Sequence, residues 1–125
     1  MEDGQIVFKS VLIAEDSAIN QIFMQRSLGK ICGRIDIAEN GAQAVEFAKE
    51  NVYDIILMDI FMPEMDGYEA IPLIKEIPSQ QSTLVVAVTA QAMAGDKEKC
   101  LEAGADAYIS KPVDVDKLLQ ILEEI

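Results

Sequence analysis

Five short aliphatic runs punctuate the chain, at residues 11–14, 35–38, 55–58, 84–88 and 107–109. They are too short for helices, rich in Val and Ile, and several are apolar on both faces. That pattern marks central parallel strands covered on both sides. The segments between them change period. Phe23, Met24, Ser27, Leu28 and Ile31 recur at helical spacing, as do Ala44, Val45 and Ala48 after Asn40-Gly41. Ile71 and Ile74 follow, with Asp66 and Glu69 spaced as a capping pair. A shorter helix is stopped by Gly104, and a last one carries Leu118, Leu119 and Leu122 behind Asp114. Strand and helix alternate five times, which predicts a doubly wound α/β fold with right-handed crossovers. Two breakers stand inside predicted helices. Pro72 predicts a kink or a late start in the third, and Gly95 interrupts the first turn of the fourth.

Length and composition narrow the class. The 125 residues suit one domain, with 50% apolar and only 6% aromatic side chains for an aliphatic core. The aliphatic stretches are far shorter than the roughly 20 residues a spanning helix needs, and no signal peptide is visible. Two distant cysteines, Cys32 and Cys100, suit a reduced, cytoplasmic protein. The net charge of −12 disfavours direct contact with nucleic acid and suits cations or basic patches on a partner. With no histidine, Ser-His-Asp catalysis, imidazole metal ligation and a phosphohistidine carried by this chain are all excluded.

The carboxylates then ask for an explanation. In "IILMDIFMPEMDG" a buried-strand pattern ends on Asp59. In open parallel sheets, ligands bind beyond the carboxyl ends of the strands. At that edge the first strand ends in Glu15-Asp16, the third in Asp59, the fourth in Thr89, and the fifth in Lys111 before Pro112. Two like charges about 4 Å apart repel by on the order of 4 kcal/mol at an effective dielectric near 20. Three gathered carboxylates therefore raise their own pKa values or recruit a cation. Hard oxygen ligands favour Mg²⁺ over zinc, and Mg²⁺ takes phosphate as a further ligand. Beside a lysine, Asp59 can act as a nucleophile and form an acyl phosphate.

These residues carry a family resemblance. The stretches "VLIAEDSAINQ", "ENGAQAVEFA", "YDIILMDIFMPEMDGYEA", "VVAVTAQAM", "CLEAGADAYISKP" and "VDKLLQIL" resemble a response-regulator receiver domain from about Val11 to Ile125. The wording is most similar to receivers of hybrid sensor histidine kinases. The resemblance implies a flavodoxin-like (βα)5 sheet in strand order 2-1-3-4-5. It implies a single receiver domain over residues 1–125, with its core at about 10–125 and residues 1–9 as an N-terminal extension. It implies Asp59 as phosphoacceptor, Asp16 as direct Mg²⁺ ligand, Glu15 reaching the metal through water, and the Phe61 carbonyl as a further ligand, with Mn²⁺ an alternative ion. Thr89 and Lys111 would hold the phosphoryl oxygens. Thr89 and Tyr108 would form the switch, Phe61 and Gln91 would tune phosphoryl lifetime, and Lys111–Pro112 would be cis.

The implied partners are a histidine kinase or histidine phosphotransfer domain. An output domain or partner protein would read a face made by the fourth helix, fifth strand and fifth helix. The domain would catalyse its own phosphorylation and a slow autodephosphorylation, while serving as a signalling module. It could stand alone or be one domain of a hybrid kinase. Glu15 replaces the aspartate common in the family, and Asn20 lies on the inward stripe of the first helix beside the site. One rival is a non-phosphorylated docking module, which the intact Glu15, Asp16, Asp59, Thr89 and Lys111 set disfavours. A haloacid-dehalogenase-type phosphatase needs a second aspartate where Phe61 stands. A flavodoxin-like cofactor site is disfavoured by the negative charge of "EDSAIN".

Overall fold

The computed structural model describes residues 7–90 and 95–123. Five parallel strands alternate with five helices: β1 (Phe8–Ala14), α1 (Ala18–Leu28), β2 (Cys32–Ala38), α2 (Gly41–Glu50), β3 (Ile55–Asp59), α3 (Gly67–Lys75), β4 (Leu84–Thr89), α4 (Asp96–Ala103), β5 (Ala107–Ser110) and α5 (Val115–Glu123). A single 3₁₀ turn, Pro78–Gln80, joins α3 to β4. The strand order is β2-β1-β3-β4-β5, so the chain reverses direction across the sheet next to β1 and β3. That reversal opens a crevice at the strand C-termini.

The period-two alternation of the strands splits the core in two. Leu12, Ala14, Ile56, Met58, Val85 and Ala87 face α2, α3 and α4. Val11, Ile13, Ile55, Leu57, Val86, Val88 and Ile109 face α1 and α5, where Met24, Leu28 and Leu118 meet them. Each Leu or Ile so buried contributes about 1.5–3 kcal/mol. Two buried side chains with polar groups are paired. Gln80 Nε2 donates to the Ala48 carbonyl at 2.7 Å, and Tyr53 Oη donates to Asp36 Oδ2 at 2.6 Å.

Several boundaries differ from the sequence reading. β1 starts at Phe8, inside the stretch read as an extension, because Phe8 is buried and pairs with Cys32. Ser17 caps α1 and sets its start, and the helix ends at Leu28 on the C-cap Gly29, so Ile31 is buried beyond it in the turn to β2. Phe23 lies on α1 but is exposed. Asp66 and Glu69 do form a reciprocal capping box, which starts α3 at Gly67. The helix therefore does not start late; Pro72 sits within it on the exposed face. Gly95 does not interrupt α4. It precedes the helix in a left-handed conformation, φ 89°, which glycine adopts without strain. Among the described residues no helix is long and apolar enough to cross a membrane.

Candidate functional site

β1, β3, β4 and β5 end side by side, and their last residues meet. Glu15 follows β1 and is 1% exposed; Asp59 closes β3 and is 4% exposed; Thr89 closes β4 and is buried. Lys111 follows β5, tied there by its amide donating to the Thr89 carbonyl at 2.7 Å. Its ammonium bridges the two buried carboxylates, 2.6 Å from Glu15 Oε1 and 3.0 Å from Asp59 Oδ2. The contact to Glu15 Oε1 is short but poorly aligned as a hydrogen bond, and that oxygen has no aligned donor. Asp16 is exposed at the mouth. Glu15, Asp16 and Asp59 each present one oxygen, and these three lie within 4.8 Å of one another.

The charges are unequally placed. Burial pushes the Asp59 carboxyl up, repulsion from Glu15 adds to it, and Lys111 only partly offsets both, leaving it at about 6. Burial also raises Glu15, but the Lys111 ammonium and the hydrogen bond from the Ser17 amide outweigh it and leave that carboxyl below its ordinary value. Burial lowers Lys111, and the two carboxylates more than reverse this, so the ammonium is held charged. One lysine against three carboxylates leaves net negative charge at the mouth. A hard divalent cation fits that donor set, which offers only oxygens and includes one buried oxygen without an aligned donor.

Two tight backbone approaches shape the loop after β3. The Gly67 amide donates to the Ile60 carbonyl at 2.8 Å, and a Cβ on Gly67 would lie 2.9 Å from the Asp59 carbonyl oxygen. The Gly41 amide donates to the Met65 carbonyl at 2.9 Å, docking the same loop on α2. Glu64, at φ 66°, places its carboxylate on Asn40 Nδ2 at 3.2 Å. Within this loop the Phe61 amide donates to Asp59 Oδ1 at 3.3 Å. The Phe61 ring is 59% exposed and stands edge-on to Tyr68 at 6.5 Å. Tyr108 is half-buried on β5 and packs against the cluster under α3 and α4. Asn20 lines a cavity of about 420 Å³ beside the site with Ile19, Phe23, Met24, Ala90 and Lys111. The Lys111–Pro112 peptide is cis. Gln91 lies outside the described residues.

Two neighbours of the carboxylates escaped the sequence reading. The Ser17 amide donates to Glu15 Oε2 at 3.1 Å, and Gln21 Nε2 donates to the Glu15 carbonyl at 2.6 Å. Ser17 was legible as an N-cap residue type ahead of a helix. Nothing in the sequence marked Gln21.

Comparison with known proteins agrees with the geometry. Residues 11–123 match the response regulator receiver domain model. The chain is 43% identical over 113 residues to the signal transduction histidine-protein kinase BarA of Escherichia coli, covering 90% of this chain and 12% of that protein's length. It resembles the receiver domain of the sensor histidine kinase PA1611 of Pseudomonas aeruginosa, a structure with magnesium in its active-site cleft, at 38% identity and TM-score 0.79, covering 93% of this chain and 95% of that one. The receiver domain of Ssk1, crystallised with the histidine phosphotransfer protein Ypd1 of Saccharomyces cerevisiae, matches at 33% identity and TM-score 0.81, covering 98% and 90%. The strand order, the crevice at its reversal and the matched residues lead to one assignment: this chain belongs to the response regulator receiver domain family of two-component signalling.

Proposed function

We propose that the domain accepts a phosphoryl group on Asp59 from the phosphohistidine of a histidine kinase or histidine phosphotransfer domain. The observation that carries this is the Lys111 ammonium, reaching from the end of β5 past β4 to lie between Glu15 and Asp59 at the tips of β1 and β3. A carboxylate oxygen of Asp59 attacks the phosphorus in line. The P–N bond breaks, its electron pair stays on the imidazole nitrogen, and that nitrogen takes a proton from solvent. Asp59 becomes a mixed anhydride. Lys111 moves its charge toward the incoming phosphoryl oxygens, and the Thr89 hydroxyl at the tip of β4 donates to them. Glu15, Asp16, Asp59 and the Phe61 carbonyl would hold Mg²⁺ or Mn²⁺, which neutralises charge on the transferring group. The BarA and PA1611 relatives support a kinase as donor, and the Ypd1 complex of Ssk1 supports a phosphotransfer protein.

The docking side is supported by α1. Ile19 is 79% exposed, and Ile22 and Phe23 are exposed with it, forming an apolar edge along the cavity that reaches Lys111. The readout side is α4, β5 and α5. A hydroxyl drawn inward at Thr89 frees space that the half-buried Tyr108 fills, and this changes the face that an output partner contacts.

Radiolabelled phosphotransfer from a phosphorylated donor tests the reading. The label should require Mg²⁺, be released by hydroxylamine and vanish in Asp59→Asn. Label persisting on Asp59→Asn overturns the assignment, and a wild-type domain that docks the donor without taking label would be a docking module instead.

A further inference from the structure

We propose that Gln21 is a positioning residue for the Glu15-Asp16 carboxylates, and this rests on the metal reading of that pair. Among the described residues no hydrogen bond or ion pair holds the Asp16 carboxylate. Its place is therefore the place of its backbone. That backbone is pinned on both sides. Ahead of it, the Glu15 amide donates to the Ala38 carbonyl at 2.9 Å, and the Glu15 carbonyl accepts from Gln21 Nε2 at 2.6 Å. Behind it, the Ser17 amide is bound by the Glu15 carboxylate, and Ser17 Oγ caps α1 through the Asn20 amide at 3.4 Å.

Gln21 is the side chain that joins this turn to the body of α1. Residues 17, 21, 24 and 28 fall on one stripe of the helix, and Met24 and Leu28 anchor that stripe in the core. The Gln21 amide thus transmits the fixed position of α1 to the peptide that carries Asp16. Without it, the Glu15 carbonyl loses its one side-chain donor, and the Glu15–Asp16 peptide is free to rotate. A rotation there swings Asp16 away from Glu15 and Asp59 and leaves the fold intact. Donors one step behind metal ligands commonly set affinity in this way.

Mg²⁺ titration followed by amide NMR tests the proposal on the whole chain, with the variants Gln21→Met, Gln21→Asn, Gln25→Met and Asp16→Ala. Gln21→Met keeps the length and removes the donor; Gln21→Asn keeps the amide and shortens its reach. Both should weaken Mg²⁺ binding by on the order of tenfold. In the metal-free protein both should shift the Glu15, Asp16 and Ser17 amides. Gln25→Met, an exposed change on the same helix, should alter neither. Asp16→Ala should abolish tight binding. Gln21 variants that fold and bind Mg²⁺ within twofold of wild type, while Asp16→Ala does not, overturn the positioning role alone. Unchanged affinity in Asp16→Ala overturns the metal reading and the inference together.

Discussion

Replacing Asp59 by Asn should make the metal-free protein more stable. Asp59 is nearly fully buried, and it titrates at about 6 instead of the ordinary 3.8 because burial and Glu15 penalise its charge more than Lys111 rewards it. At 1.36 kcal/mol per pKa unit the ionised carboxylate destabilises the fold by about 3 kcal/mol at pH 7, an upper value for what a neutral isostere recovers. For a domain of 125 residues that is a rise of roughly 10 °C in midpoint. The sign with pH follows from the raised value. Above pH 6 Asp59 is charged in folded and unfolded states alike, so the advantage of the variant is constant. Between about 6 and 3.8 the folded wild type takes up the proton before the unfolded chain does, and wild type gains stability as the pH falls. Below that window both states are protonated and the two proteins converge. Added Mg²⁺ narrows the gap at pH 7, because the wild type keeps the third carboxylate for the ion. Urea titrations from pH 3.5 to 7.5, with EDTA or Mg²⁺, measure all of this. A variant equal to or less stable than wild type at pH 7 in EDTA refutes the reasoning, as does a gap that ignores pH.

Gly67→Ala should cost about 1–3 kcal/mol and slow phosphorylation, since the new Cβ meets backbone atoms of Asp59 and Ile60 that cannot yield; thermal melts and label uptake check both. Tyr53→Phe should cost about 1.5 kcal/mol by urea titration, through the lost bond to the charged Asp36, and leave label uptake unchanged. Both cysteines are buried, and burial pushes the Cys32 thiol up to about 11, so neither should react with a thiol reagent at pH 8 until denaturant is added. Beryllofluoride with Mg²⁺ should shift NMR signals of Asp96–Ala103 and Tyr108, and Thr89→Val should suppress those distant shifts; wild-type shifts confined to the site loops would exclude a switch.

What the sequence made legible was whatever rests on period and caps. The five aliphatic runs lie within the five strands, most clearly in β1, β3 and β4, because a strand buried on both faces cannot hide polar residues. Asp66, Glu69 and Gly104 bounded their helices by local chemistry that needs no tertiary partner. The fold edges were less clear. β2 is an edge strand and half-exposed, so its first residues, Cys32 to Arg34, do not read as a strand. Gly95 and Pro72 were read as interruptions because each disfavours a helix interior; one lies before its helix and the other on an exposed face. In the site, the strand-end positions of Glu15, Asp59, Thr89 and Lys111 followed from the alternation alone. That Lys111 binds both Glu15 and Asp59 did not, since these residues come from separate strands. The Gln21 contact depends on the angle between α1 and β1, which no sequence pattern encodes.

α4 has only eight residues, and Cys100 is its one buried side chain. It is entered through a left-handed glycine and left through another, Gly104 at φ 115°. So little of its backbone is fastened to the core that its amide protons should exchange with deuterium through local opening, well before the central strands release theirs. A segment that opens far below the free energy of global unfolding is a weak spring, which little energy suffices to displace.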